Sequence, residues 1–76
     1  MKTVTVLGST GSVGCTTLEL LKREPERFKV VALTGGANWR LLAEQARLFM
    51  PEFVAIADSR YLSPLSEELL GLPIEV

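Results

Sequence analysis

Apolar and polar positions alternate between two periods along this chain. Residues 4–7, Val-Thr-Val-Leu, form a short β-branched run closed by Gly8, which predicts a buried strand. From Ser12 onward Val13, Thr17, Leu18 and Leu21 return at helical spacing, and Pro25 ends the pattern after the basic Lys22 and Arg23. Lys29 to Leu33 predicts a second strand, closed by Thr34-Gly35-Gly36. Leu42, Ala43, Ala46 and Phe49 then share one face of a helix expected from Trp39 to Phe49, stopped ahead of Pro51. Phe53 to Ala57 is a third apolar run. Ser63-Pro64 has the form of a helix start with Gly71 as its stop, and Pro73 to Val76 predicts the beginning of a fourth strand.

The predicted order is β-α-β-α-β-α-β. Near-continuous apolar strands separated by helices predict an α/β fold, a Rossmann-like doubly wound parallel sheet with right-handed crossovers. No internal repeat, low-complexity tract or linker interrupts the pattern, and the last residues read as a strand rather than a polar tail. Residues 1–76 are therefore expected to be the N-terminal part of a dinucleotide-binding domain, with the remainder in a longer protein.

The candidate chemistry begins where the first strand ends. Gly8, Gly11 and Gly14 are spaced GxxGxxG, one residue longer before the second glycine than the familiar GxGxxG fingerprint. In a dinucleotide-binding unit this turn is so tight that side chains obstruct it, and the following helix aims its first amides at a pyrophosphate. The context of strand, turn and helix is the one that fingerprint requires. A plainer reading makes the glycines a sharp β-α turn only, with Ser9, Thr10 and Ser12 acting as helix caps. A Walker loop is excluded, since no lysine lies between Lys2 and Lys22, and so is a nucleophile elbow, which needs glycine two residues before the serine, where Ser12 has Thr10.

The end of the second strand reports on the ribose. Enzymes that prefer NAD place a carboxylate there, which repels a 2′-phosphate. Here Thr34 to Arg40 reads Thr-Gly-Gly-Ala-Asn-Trp-Arg, with no acid, so backbone amides, Asn38 and Arg40 are the groups a 2′-phosphate would meet and NADP is preferred. Each residue also has a structural role open to it: Asn38 as a helix cap, Trp39 as a half-buried staple, Arg40 as a solvated charge.

Composition narrows the rest. Hydrophobic residues make up 47% and charged residues 22%, a globular balance, and the net charge of -1 supplies no basic field for nucleic acid or an anionic membrane. One cysteine and no histidine leave no disulfide framework and few metal ligands, and the cytoplasm is the expected location. Cys15 reads as a packing residue and Asp58 as a turn former. No acid-base pair is assembled, so no catalytic residue is assigned within the chain.

Longer stretches carry a resemblance. Thr5-Val-Leu-Gly-Ser-Thr-Gly-Ser-Val-Gly-Cys-Thr-Thr-Leu18, Pro25-Glu-Arg-Phe-Lys-Val-Val-Ala-Leu-Thr34, Asn38 ahead of Leu42-Ala-Glu-Gln45, and Pro51-Glu-Phe-Val-Ala-Ile-Ala-Asp58 resemble the N-terminus of 1-deoxy-D-xylulose 5-phosphate reductoisomerases, in register over nearly all of residues 1–60. The resemblance implies an NADPH-dependent enzyme of non-mevalonate isoprenoid biosynthesis. Such an enzyme isomerises and reduces 1-deoxy-D-xylulose 5-phosphate to 2-C-methyl-D-erythritol 4-phosphate with Mg, Mn or Co, and is expected to be a homodimer when full length. By position it implies Thr10, Gly11, Ser12 and Val13 on the pyrophosphate and nicotinamide side, and Gly36, Ala37 and Asn38 at the adenosine 2′-phosphate. Many members carry lysine where this chain has Ala37, so Arg40 is the candidate to replace that cation. The family's metal ligands, substrate contacts and lid fall beyond residue 76, so this segment alone is expected to be inert. Other readings are an NADP-dependent reductase of semialdehyde-dehydrogenase or extended short-chain type, and a non-catalytic nucleotide-binding module.

Overall fold

The computed structural model describes all of residues 1–76. Three parallel strands, β1 (Lys2–Val6), β2 (Phe28–Gly35) and β3 (Phe53–Ile56), lie in the order β1-β2-β3. Helix α1 (Ser12–Lys22) connects β1 to β2 and α2 (Trp39–Phe49) connects β2 to β3, while a 3-10 turn over Ser59–Tyr61 leads into α3 (Leu62–Glu68). Because each strand lies beside its predecessor, right-handed crossovers put the connecting helices on one face of the sheet. The extents of 34 × 27 × 14 Å agree, since 14 Å holds one sheet and one layer of helices but not a second layer. The chain thus forms one half of a doubly wound arrangement.

A row of residues matched across the sheet, Val6, Leu33 and Val54, joins Leu18, Leu42, Ala46 and Leu65 in one buried cluster. Val30 belongs to the same cluster, although a regular strand would turn residues 30 and 33 to opposite faces. The register explains it: Val4 pairs with Val30 but Thr5 with Ala32, so an extra residue in β2 restores the parity and both apolar side chains face the helices. Thr5, Ala32 and Phe53 line up on the other face, where Phe53 is exposed.

The helix expected over Trp39–Phe49 has those bounds, and its start follows from Asn38, whose side chain accepts a hydrogen bond from the Leu41 amide at 3.3 Å. It ends on Met50 in the left-handed conformation, followed by buried Pro51. Two expectations are corrected. Ser63 does not start α3: the Asp58 side chain accepts from the Arg60 amide and starts the chain turning earlier, so Pro64 falls inside the first turn, where amides lack partners in any case. The expected fourth strand is only a single parallel bridge between Phe53 and Glu75, held by Val54 N to Glu75 O at 2.8 Å and Glu75 N to Glu52 O at 3.0 Å. Pro73 has no amide to extend the ladder. Gly71 is left-handed as a stop requires, but the helix has already ended at Glu68.

Candidate functional site

Leaving β1, the chain passes from Leu7 to the start of α1 within a few residues. Gly8 turns it with φ +67°, a conformation side chains disfavour. Gly14, one turn into the helix, is packed on that same turn: a Cβ there would overlap the Gly8 carbonyl oxygen and come within 2.6 Å of the Ser9 Cα. The third glycine of the motif therefore allows α1 to dock on the loop.

Ser9 is wholly buried and satisfied on every side. Its amide donates to Thr34 O at 2.8 Å, its hydroxyl to Gln45 Oε1 at 2.7 Å, and its carbonyl accepts from Gln45 Nε2 at 2.9 Å. The partly buried Cys15 thiol also lies 3.5 Å from that carbonyl. Neighbouring Gly8 donates to the Thr34 hydroxyl at 2.9 Å. The loop is thus fastened to β2 through Thr34 and to α2 through Gln45.

None of Ser9, Thr10 and Ser12 caps α1; the N-cap is Gly11, with no side-chain bond. The amides of Thr10, Ser12, Val13 and Gly14 consequently donate to no group of the chain. Ser12, Val13 and Gly14 stand at the positive end of the helix and line a groove of about 440 Å³ between β1 and α1, with Thr10 at the turn before them. Val13 corrects the helical pattern read from the sequence. It is 79% exposed beside the groove rather than packed with Leu18, and Leu7, 76% exposed, stands on the same groove.

The β2–α2 corner lies alongside. Gly36, Ala37 and Asn38 are exposed there, and the corner is tied to the end of β3 by Ala57 N to Gly35 O at 2.9 Å and Asp58 N to Gly36 O at 3.0 Å. Thr34 joins this corner to the glycine loop, so the structure brings Thr10–Val13 and Gly36–Asn38 to one end of the sheet. Arg40 is exposed, forms no salt bridge, and lays its guanidinium over the Trp39 ring, 5.2 Å from its centroid. It lines the cleft between α2 and α3 together with Arg47 and Glu68. Trp39 is half-buried against the core, as a staple would be.

Asp58 is the one carboxylate at this end of β3. Hydrogen bonds from the Arg60 side chain and amide hold its pKa below the usual carboxylate range, and Arg60 is raised in turn. The pair closes at 2.6 Å, so its negative charge is matched locally.

Sequence reasoning missed Gln45 as the buried fastening of the glycine loop. The signal was its place in the stripe of Leu42, Ala46 and Phe49, where a polar side chain must find a buried partner.

The family model for 1-deoxy-D-xylulose 5-phosphate reductoisomerase matches residues 4–76. The reductoisomerase of Pelotomaculum thermopropionicum is 52% identical over 71 residues, 93% of this chain and 18% of that protein. That of a Synechococcus strain is 54% identical over 69 residues, 91% of this chain and 17% of the relative. Among solved structures, the reductoisomerase of Zymomonas mobilis in complex with NADPH superposes with a TM-score of 0.94 at 42% identity, over 97% of this chain and 20% of that one. A reductoisomerase in complex with NADPH, fosmidomycin and magnesium gives 0.92 at 28% identity, over 99% and 19%. The chain spans about a fifth of the length of these proteins. Matched by the family model over residues 4–76 and about half identical to these relatives over nearly all of its length, the chain belongs to the 1-deoxy-D-xylulose 5-phosphate reductoisomerase family.

Proposed function

We propose that residues 1–76 are the NADPH-binding segment of an enzyme that isomerises and reduces 1-deoxy-D-xylulose 5-phosphate to 2-C-methyl-D-erythritol 4-phosphate. The observation that carries this reading is the unpaired set of amides at Thr10, Ser12, Val13 and Gly14, gathered where α1 docks on the Gly8 turn. Those amides and the helix dipole suit a pyrophosphate, and exposed Val13 offers an apolar surface toward the nicotinamide side. Gly36, Ala37 and Asn38 suit the adenosine 2′-phosphate, because no carboxylate lies between Thr34 and Arg40 to repel it. Arg40, exposed in the first turn of α2 and without an ion pair, is the cation assigned to that phosphate in this reading, which requires it to leave its stack on Trp39.

When bound, NADPH supplies the hydride. The chain's part is to fix the phosphates and to present the ring along the carboxyl end of β1. The divalent metal, Mg, Mn or Co, belongs in this proposal to the full-length enzyme: no three His, Cys, Asp or Glu side chains gather within residues 1–76, and no step is derived through a metal here. The full-length protein is further proposed to be a cytoplasmic homodimer acting on a phosphorylated sugar, without a nucleic-acid or membrane partner. No helix is long and apolar enough to cross a membrane.

The test is titration of the full-length enzyme with NADPH and NADH, followed by NADPH oxidation with 1-deoxy-D-xylulose 5-phosphate and Mg. Tight NADPH binding, weaker NADH binding and substrate-dependent oxidation are expected. Equal affinity for the two cofactors would remove the 2′-phosphate assignment, and no binding at all would remove the function.

A further inference from the structure

We infer that Gln45 is a positioning residue for the cofactor, acting through the Ser9–Thr10 peptide. A trans peptide is planar, with its carbonyl and amide pointing in opposite directions. Gln45 Nε2 pulls the Ser9 carbonyl inward at 2.9 Å, and the Thr10 amide of the same peptide must therefore face outward, where it has no partner in the chain. Gln45 Oε1 accepts the Ser9 hydroxyl at 2.7 Å, which fixes the amide group's own orientation and leaves Nε2 aimed at the carbonyl. The glutamine is itself buried on the apolar face of α2, so neither bond is exchanged with water. Ser9 N, bound to Thr34 O at 2.8 Å, anchors the other end of the residue.

The consequence is specific. Without the Nε2 donor the Ser9 carbonyl keeps only the weak contact from the Cys15 thiol at 3.5 Å, the Ser9–Thr10 peptide is held less firmly, and Thr10 no longer offers its amide to a phosphate at no reorganisation cost. This inference rests on the NADPH reading and adds a residue remote from the ligand that sets the loop's affinity.

The experiment compares variants of the full-length enzyme by NADPH dissociation constant, KM for the sugar phosphate, and melting temperature. Gln45→Met keeps the volume and removes both bonds. It is expected to weaken NADPH at least about tenfold while leaving KM for the sugar phosphate within about twofold. Gln45→Glu keeps the acceptor for the Ser9 hydroxyl and replaces the donor with a carboxylate oxygen that repels the Ser9 carbonyl, and carries the same expectation where Gln45→Met accumulates too little folded enzyme. Ser9→Ala keeps the bond from Nε2 to the carbonyl and should weaken NADPH less than either. Leu65→Ala opens a cavity in α3, away from the loop, and should lower the melting temperature with NADPH affinity unchanged. If the Gln45 variants bind NADPH as wild type does, or Ser9→Ala loses as much as they do, or Leu65→Ala loses affinity in proportion to its melting temperature, the positioning role is overturned. Failure of the wild-type enzyme to bind NADPH would instead overturn the proposed function.

Discussion

The loops after β1 and β2 meet at the same end of the sheet and are built to opposite tolerances. Around Gly8–Gly14 backbone packs on backbone, and Ser9 is bonded at its amide, hydroxyl and carbonyl. At Gly36–Asn38 the chain is open: a Cβ added at Gly36 would meet nothing within 4 Å, and its neighbours are exposed. In the proposed binding mode the first loop faces the invariant part of a dinucleotide, its pyrophosphate, and it is fixed by core packing. In the same mode the second faces the part that distinguishes NADP from NAD; Gly36 and Ala37 there have room for other side chains, while Asn38 keeps the cap of α2.

The strongest challenge to this contrast is Gly14→Ala. A methyl group against the Gly8 carbonyl and the Ser9 backbone forces α1 off the loop, and a loss of about 3 kcal/mol is expected. It should appear as a large fall in melting temperature together with loss of NADPH binding. A variant with wild-type stability would show that the close approach is not a constraint.

Asn38→Asp combined with Arg40→Ala tests the open loop. Aspartate caps a helix as well as asparagine does, so the melting temperature should hold, while NADPH affinity falls about tenfold, near 1.4 kcal/mol, with NADH little changed. A parallel fall for both cofactors would mean that the corner does not read the 2′-phosphate.

Gly36→Ala should be the mirror image of Gly14→Ala in stability. With open space and no left-handed backbone, the alanine is expected to stabilise by about 0.4–1 kcal/mol through the unfolded chain, read as a small rise in melting temperature. The smallest effect lies at Asp58. Its folded pKa is depressed by Arg60, so the pair's contribution is complete above the ordinary carboxylate value and is lost as pH falls through the lower folded value. NMR titration should show Asp58 below the usual range, and Arg60→Ala should return it upward.

The residues that announced the fold were those whose side chains act locally. The apolar stripe of α2 and its Asn38 cap gave that helix its observed bounds, and Pro25 and Pro51 stand beyond the helix ends as expected. β1 and β2 differ at their ends, running over Lys2–Val6 and Phe28–Gly35, because ladder hydrogen bonds and not hydropathy set strand limits. Two features were hidden because they depend on partners distant in sequence. Val13 fits a helical stripe by spacing, yet it lies at the first turn, ahead of the point where α1 meets the sheet, and remains exposed. Gln45 is an ordinary helix residue until Ser9 is brought beside it. The fourth strand starts no earlier than Glu75 for a local reason that hydropathy does not register, the missing amide of Pro73.

The bond between Ser9 and Gln45 spans 36 residues of sequence, and this imposes a schedule on biosynthesis. The glycine turn leaves the ribosome early, but its lock is carried on the second helix. At a translation rate of about 5 to 20 residues per second, roughly 2 to 7 s separate the emergence of the two. During that interval the nascent chain carries the glycine loop without its latch, and Ser9 gains its buried partner only when residue 45 has cleared the exit tunnel.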